Sequence, residues 1–422
     1  MRAGPTHSEP PAEHSEPHDE PSLLEIVREW GRIGCIGFGG PPAHVALFRE
    51  LCVTRRGWLT SPQFERAIAA TNLLPGPAST QLAIYCAWRL RGTRGALLGG
   101  LCFIVPGLAA IIALAVLFLS GSPPAWLRGA GLGAGAAVAA VAVRAGLGVA
   151  GPIWERASTQ RRRVAVLAYG LAGGIAAATA GPWLVLVLLA CGAVELAGRR
   201  LVHADKGPHA WLAPPAWPLA RAAAHPLAGP LPSWPLLTAT AADPGGTLSL
   251  VWTALKVGAL AFGGGFVIVP LMQSDAVSTY HWMSHSQFLN AVALGQITPG
   301  PIVQTVAVVG YAAGGLPSAL LAAAVAFAPS FSFVLLGAAR FERLLVNERV
   351  LAFLAGAAPC AAGAIVGAAV PLTAALAESW QYAVLAAAAV ALLMLRRAVV
   401  PALLAAAAVG VAAALLGAPI PR

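Results

Sequence analysis

Residues 34–77 read GCIGFGGPPAHVALFRELCVTRRGWLTSPQFERAIAATNLLPGP, and residues 258–301 read GALAFGGGFVIVPLMQSDAVSTYHWMSHSQFLNAVALGQITPGP. A shift of 224 residues lays one on the other without a gap, and 15 of the 44 positions are identical. Phe38-Gly39-Gly40 meets Phe262-Gly263-Gly264, Trp58 meets Trp282, and Pro75-Gly76-Pro77 meets Pro299-Gly300-Pro301. Agreement concentrated on Trp, Phe, Gly and Pro marks an internal duplication. Both copies are apolar segments interrupted by Gly and Pro at matching positions, the pattern that points to the binding site of a transporter built from repeats.

Working outward, the composition fits a membrane. Of 422 residues only 10 % are Asp, Glu, Lys or Arg, and 58 % are hydrophobic; a soluble domain carries about 25 % charged residues. So few charges could hardly cover a soluble surface of this size, which argues strongly against a soluble enzyme. The net charge of +10 is spread between apolar runs instead of forming a patch. That is the pattern of cationic loops in a multi-span protein, and it argues against nucleic-acid binding. The six cysteines show no CxxC spacing, so neither a disulfide framework nor a zinc site is expected. Neither lysine, Lys206 or Lys256, sits in GxxxxGK[ST], which argues against an ATP-driven pump, and no cofactor or metal is expected. Residues 1–22 lack an apolar core and read as a disordered hydrophilic tail.

The fold class expected is an all-α polytopic membrane protein with two homologous halves as inverted repeats. It has ten to twelve hydrophobic segments, some of them broken or re-entrant. The halves are residues 23–198 and 248–422, joined by a Pro/Trp/Ala-rich linker, 199–247, lying on the membrane surface. In the first half, Lys and Arg gather in 49–57, 89–94 and 156–163; in the second, they gather in 340–349 and at Arg396-Arg397, leaving 273–287 and 313–318 without any. The bias has moved to the opposite set of loops, as inverted halves require. A consistent count has five crossings per half plus one re-entrant stretch, the one holding Pro-Gly-Pro.

The candidate site is built from these breaks. Gly39 and Gly40, and Gly263, Gly264 and Gly265, permit positive φ and leave the backbone uncovered. A half-helix that starts at such a break presents N–H groups to an anion, whereas small residues also serve close helix packing. Pro75-Gly76-Pro77 and Pro299-Gly300-Pro301 cannot continue a helix, and such breaks survive at membrane depth only inside protein or beside a water-filled cavity. Asn72, Ser79, Thr80 and Gln81 surround the first; Gln296, Thr298, Gln304 and Thr305 surround the second. These uncharged donors suit an oxyanion, and they equally suit the carbonyls freed by the breaks. Arg32 and Lys256 coincide under the repeat and read as countercharge for a dianion, or as side chains snorkelling to the surface. His44 has Ile268 as its counterpart and reads as a packed histidine. Trp58 and Trp282 read as interfacial anchors, and Glu195 as the partner of Arg199. No acidic residue is expected in the middle of a second-half segment.

Together FGGPPAHVALFRE, GWLTSPQFERAIAATNLLPGPASTQLAIYCAWRLRGTRGALLGG, AFGGGFVIVPLM, QITPGPIVQTVAVVGYAAGG and FAPSF resemble the chromate ion transporter family in its long, two-domain form. His44 stands where that family often has Gln, and His281 where its second copy often has Gly. The resemblance implies a multi-pass protein of the bacterial inner membrane, not an enzyme. Such a carrier exports chromate, a sulfate-like dianion, and confers resistance. Its partners are then the oxyanion and the lipid bilayer, with room for a homo-oligomer. The alternatives are a carrier of sulfate or another oxyanion, an anion channel, and a membrane scaffold.

Overall fold

A computed structural model describes residues 20–74, 76–119, 123–179, 184–204, 245–261, 265–337 and 347–420, and every regular element among them is helical. The first half runs α1 (Leu23–Ile36), α2 (Pro41–Arg49, continued by a π-helical turn over Glu50–Arg55), α3 (Ser61–Leu73), α4 (Ala78–Leu119), α5 (Ala125–Glu155), α6 (Gln160–Thr179) and α7 (Leu184–Ala204). The second runs α8 (Thr247–Leu260), α9 (Ile268–Gln273, continued by a π-helical turn over Ser274–Thr279), α10 (His285–Ile297) and α11 (Thr305–Gly337). It continues with α12 (Glu348–Gly367), α13 (Ala369–Ala374), α14 (Ser379–Ala389) and α15 (Val399–Leu415). The helices α1 and α8, the two π-turns, and α3 and α10 all correspond at the shift of 224. Their starts are encoded locally: Thr60 with Gln63, and Ser284 with Gln287, close matching capping boxes.

The first two stretches of each half are hairpins that enter and leave by one face. Arg55 and Arg56, at the end of the first return arm, pair with Glu29 on α1 at 2.5 and 3.2 Å. In the second stretch, Trp58, Leu59 and Gln63 line one small surface cavity with Arg89 and Leu90, so α3 begins where the first arm of α4 ends. The second half repeats this: Lys256 on α8 pairs with Asp275 on the return arm, and Trp282 donates to Gly245 O at 2.8 Å. One re-entrant stretch per half was expected. The structure has two, because the π-turn after Arg49 continues the helix back to the face it came from instead of opening a loop.

α4 and α11 are not single spans. Gly92 (φ 58°) and Gly315 (φ 72°) turn each of them back on itself. A Cβ placed on Gly95 would lie 2.3 Å from Ala87 O, and one on Gly310 would lie 2.8 Å from Ala322 Cβ. The arms beyond these turns, with α5 and α12, supply the stretches long and apolar enough to cross a membrane. Exposed Val164, Leu167, Leu171 and Ile175 run along α6, and Leu97, Leu101 and Val105 along α4. Apolar stripes of this kind face acyl chains.

The halves interlock. α5 packs against α14 and α15 of the second half, while α12 packs against α6 and α7 of the first. Small residues allow the close approach: Gly129 with Gly410 and Gly133 with Ala406 run antiparallel, and Gly170 with Gly363 and Gly174 with Gly367 run parallel. The direction of the equivalent helices follows. α6 starts where α5 ends, and α12 starts beside the start of α6, where Arg162 donates to Ala355 O at 2.9 Å. Thus α5 and its counterpart α12 run in opposite directions, the relation expected of inverted repeats. Glu195 holds Arg199 at 3.1 Å, as the sequence suggested, and also Arg162 at 2.6 Å.

One face therefore carries Arg55, Arg56, Arg89, Arg91, Arg94 and the start of α12, and the opposite face carries 273–287 and the turn at Gly315. Glu20 pairs with Arg91 at 3.2 Å, so the chain enters α1 from the basic face. α7 ends on that face and α8 begins on the other. Most of the expected tail and linker, residues 1–19 and 205–244, lies outside the described residues.

Candidate functional site at the helix breaks

The hairpin tips of both halves meet. Gly300 N–H, in the second Pro-Gly-Pro, donates to Gly37 O, just before the first Phe-Gly-Gly, at 3.0 Å. The same carbonyl lies 2.9 Å from His44 Nε2, and His44 is fully buried edge-on against Phe103. His44 is thus a packed residue that braces the break. A Cβ on Gly40 would lie 3.6 Å from Ile302 Cδ1, and one on Gly265 would lie 3.5 Å from Ile302 Cβ. Gly40 of the first tip and Gly265 of the second half therefore flank Ile302, just after the second Pro-Gly-Pro. Pro75, Phe262, Gly263 and Gly264 lie outside the described residues.

The glycines serve the turns directly. Gly39, Gly40, Gly76, Gly265 and Gly300 have φ of 99°, 74°, 123°, 90° and 93°, values that L side chains rarely adopt. Long arms pass close to the breaks: a Cβ on Gly107 of α4 would lie 2.0 Å from Pro299 O, and one on Gly76 would lie 3.4 Å from Ser330 Oγ of α11. Gly76, Pro77, Gly300 and Pro301 are buried, whereas Phe38 and Gly39 are exposed.

Polar side chains at the breaks divide into two groups. Thr298 Oγ1 donates to Leu294 O at 2.8 Å, Thr305 Oγ1 to Ile302 O at 2.7 Å, and Gln304 Nε2 to Pro299 O at 2.8 Å. These satisfy the local backbone. Among the described residues, Thr80 Oγ1, Gln296 Nε2 and Ser330 Oγ, together with the acceptor Gln304 Oε1, are buried without a hydrogen-bond partner. Native proteins rarely leave such groups unpaired. Ser330 was not among the expected site residues; its signal was a hydroxyl directly after Pro329, the in-helix proline of that arm.

Backbone donors are unequally distributed. α4 opens after Pro77 and the helix of α11 after Pro301. In each, the first amides have no partner within the helix, and Thr80, Gln81 and Gln304 are the first to bond back, to Pro77 O and Pro301 O. α2 differs from expectation. Pro41 and Pro42 carry no N–H, and Ala43 and His44 both donate to Gly40 O, so this half-helix start has little to offer an anion.

The two matched cations differ in their surroundings. Arg32 is exposed on α1. Lys256 Nζ lies 2.5 Å from Asp275 Oδ2, and Asp275 is only 5 % exposed. The structure gives Lys256 an acidic partner and places a buried carboxylate within a second-half hairpin. That carboxylate went unnoticed because 273–287 reads as an external loop. On the basic face, Arg89, Arg91 and Arg94 line an open cavity of about 650 Å³ with Trp88 and Glu20.

Comparison with known proteins bears on this geometry. The chain is 32 % identical over 364 residues to a chromate transport protein of Cupriavidus metallidurans, covering 83 % of this chain and 82 % of that one. It is 30 % identical over 358 residues to a chromate transport protein of Pseudomonas aeruginosa, covering 85 % and 82 %. A probable chromate transport protein of Synechococcus elongatus is 27 % identical over 359 residues, covering 84 % and 86 %. No solved structure matches. The chromate transporter family matches residues 24–196 and again residues 248–414. With both copies matched, and with the relatives aligned across them, the chain belongs to the chromate transporter family.

Proposed function

We propose that the protein is a secondary carrier that moves the chromate dianion out across the bacterial inner membrane and so confers resistance. The basic face lies in the cytoplasm, as positive loops do. The observation that carries this reading is the meeting of broken helices from two oppositely directed halves, with Thr80, Gln296 and Ser330 left as unpaired buried donors beside the breaks. A dehydrated oxyanion would supply the acceptors these groups lack. The site comprises Gly76, Pro77 and Gln81 of the first break, and Gln296, Thr298, Pro299, Gly300, Pro301 and Thr305 of the second. Gly39, Gly40 and Gly265 close it from the other hairpins. Lys256 supplies positive charge from the second half, and the exposed position of Arg32 argues against a matching role. The arginine-lined cavity on the basic face would gather anions ahead of transport.

Chromate uptake by inverted membrane vesicles, with sulfate as competitor, tests the proposal. Saturable uptake that sulfate inhibits weakly supports a chromate carrier. Inhibition stronger than chromate's own half-saturation would make sulfate the substrate, and absence of uptake would refute the reading.

A further inference from the structure

Between Gly245 and Gly337 the chain holds one lysine, Lys256, one aspartate, Asp275, and no other Asp, Glu, Lys or Arg. The fold pairs these two across the arms of one re-entrant hairpin. Lys256 is on the inbound arm α8, and Asp275 is on the π-turn of the return arm. Nζ lies 2.5 Å from Oδ2, with the side chains 20 % and 7 % exposed. Thr253 Oγ1 donates to the same oxygen at 2.9 Å. The first copy has no such pair at these positions; Arg32 and Leu51 stand there. As a brace the pair is costlier than Arg55–Glu29 of the first hairpin, because Lys256 is 20 % exposed against 36 % for Arg55 and desolvating both ions offsets more of their attraction. An apolar pair would close the hairpin as well.

A dianion carrier needs a cation, and here the available one is already held by an anion of the protein's own. We infer that Asp275 is a built-in competitor of the substrate. It holds Lys256 in the unloaded carrier, yields it to a tetrahedral dianion, and reclaims it to expel that dianion. The inference rests on the oxyanion-carrier reading above. A transport site must bind well enough to load and loosely enough to let go. A half-buried lysine without a rival would retain the dianion. With Asp275 beside it, one anion replaces another and the lysine is never left unpaired. Thr253 steadies the exchange: its hydroxyl still donates to the carboxylate when the lysine turns away. Only hydrogen bonds and an ion pair change, and no proton transfer is required.

The test exploits the sign of two substitutions. Uptake of chromate, and separately of sulfate, is measured in proteoliposomes for the wild type, Lys256→Gln, Asp275→Asn, Asp275→Glu and the double variant Lys256→Gln/Asp275→Asn. Lys256→Gln should raise the half-saturation concentration on the order of tenfold. Asp275→Asn should lower it by a similar factor and also lower the maximal rate, since release slows. Asp275→Glu should recover both parameters, and the double variant should follow Lys256→Gln. A pair that merely braces the hairpin would respond alike whichever partner is removed, so shifts in one direction, or none, overturn the inference. Should Asp275→Asn fail to fold, the wild type answers by infrared difference spectroscopy with isotope-labelled aspartate. The chain's other aspartates are Asp19, Asp205 and Asp243, all outside the described residues. Adding chromate should shift a labelled carboxylate band, and an unchanged spectrum overturns the inference. A wild type that moves neither anion would mean that the carrier reading itself has failed.

Discussion

Gly300→Ala is the substitution that loads the site most directly. Gly300 sits at φ 93° between two prolines, and its N–H donates to Gly37 O of the other half at 3.0 Å. An alanine there keeps the N–H but resists the dihedral, a strain of about 1–3 kcal/mol. Its Cβ would also stand 3.2 Å from Gln304 Oε1, so that side chain must give by a few tenths of an ångström. If the tip relaxes, the bond between the halves goes too, at about 0.5–1.5 kcal/mol. The middle of the combined range, about 3 kcal/mol, corresponds to a fall in transport of roughly 150-fold when the whole cost falls on assembling the tips. The assay is chromate uptake in inverted vesicles, normalised to folded protein by size-exclusion chromatography. Gly148→Ala is the control, because nothing lies within 4 Å of its added Cβ. Transport by Gly300→Ala at half the wild-type rate or more would refute the claim that the tip geometry matters.

Other substitutions probe separate parts of the account. Ser330→Ala removes a buried hydroxyl without a partner; it should leave thermal stability unchanged or raised, yet weaken chromate binding by about 1–3 kcal/mol, read as half-saturation. Gly363→Val would place side-chain atoms against Gly170 O, to which even a Cβ would come within 1.8 Å; the halves should fail to interlock, seen as loss of a monodisperse peak in detergent. His281 adopts φ 53°, like Gly57 at the equivalent position with φ 61°; His281→Gly should raise the melting temperature or leave it unchanged and preserve transport. In a cysteine-free background, Ser278→Cys should label from outside intact cells and Arg349→Cys only after permeabilisation.

The repeat and its breaks were legible because Gly, Pro and Trp at one register constrain the backbone directly. Phe38-Gly39-Gly40 and Pro299-Gly300-Pro301 could be named as helix breaks from their residues alone. What spacing does not report is where the chain goes after a break. The return of α2 depends on Arg55 and Arg56 reaching Glu29, far away in sequence, and on a π-turn with no distinctive residues. For the same reason Lys256 looked unpartnered. Asp275 lies on what reads as a polar loop, and only the second hairpin brings it to α8. Pro41 and Pro42 mark the start of α2 correctly, but the same rings remove the donors that would have made that start an anion site.

If the protein carries an oxyanion by alternating access through the meeting of these hairpin tips, it must be able to exchange anion for anion. Counterflow of labelled chromate in proteoliposomes tests it most directly. The flux should saturate, be stimulated by unlabelled chromate on the opposite side, and be lost in Gly300→Ala. Flux that rises linearly with concentration and ignores chromate on the far side would show a channel and contradict it.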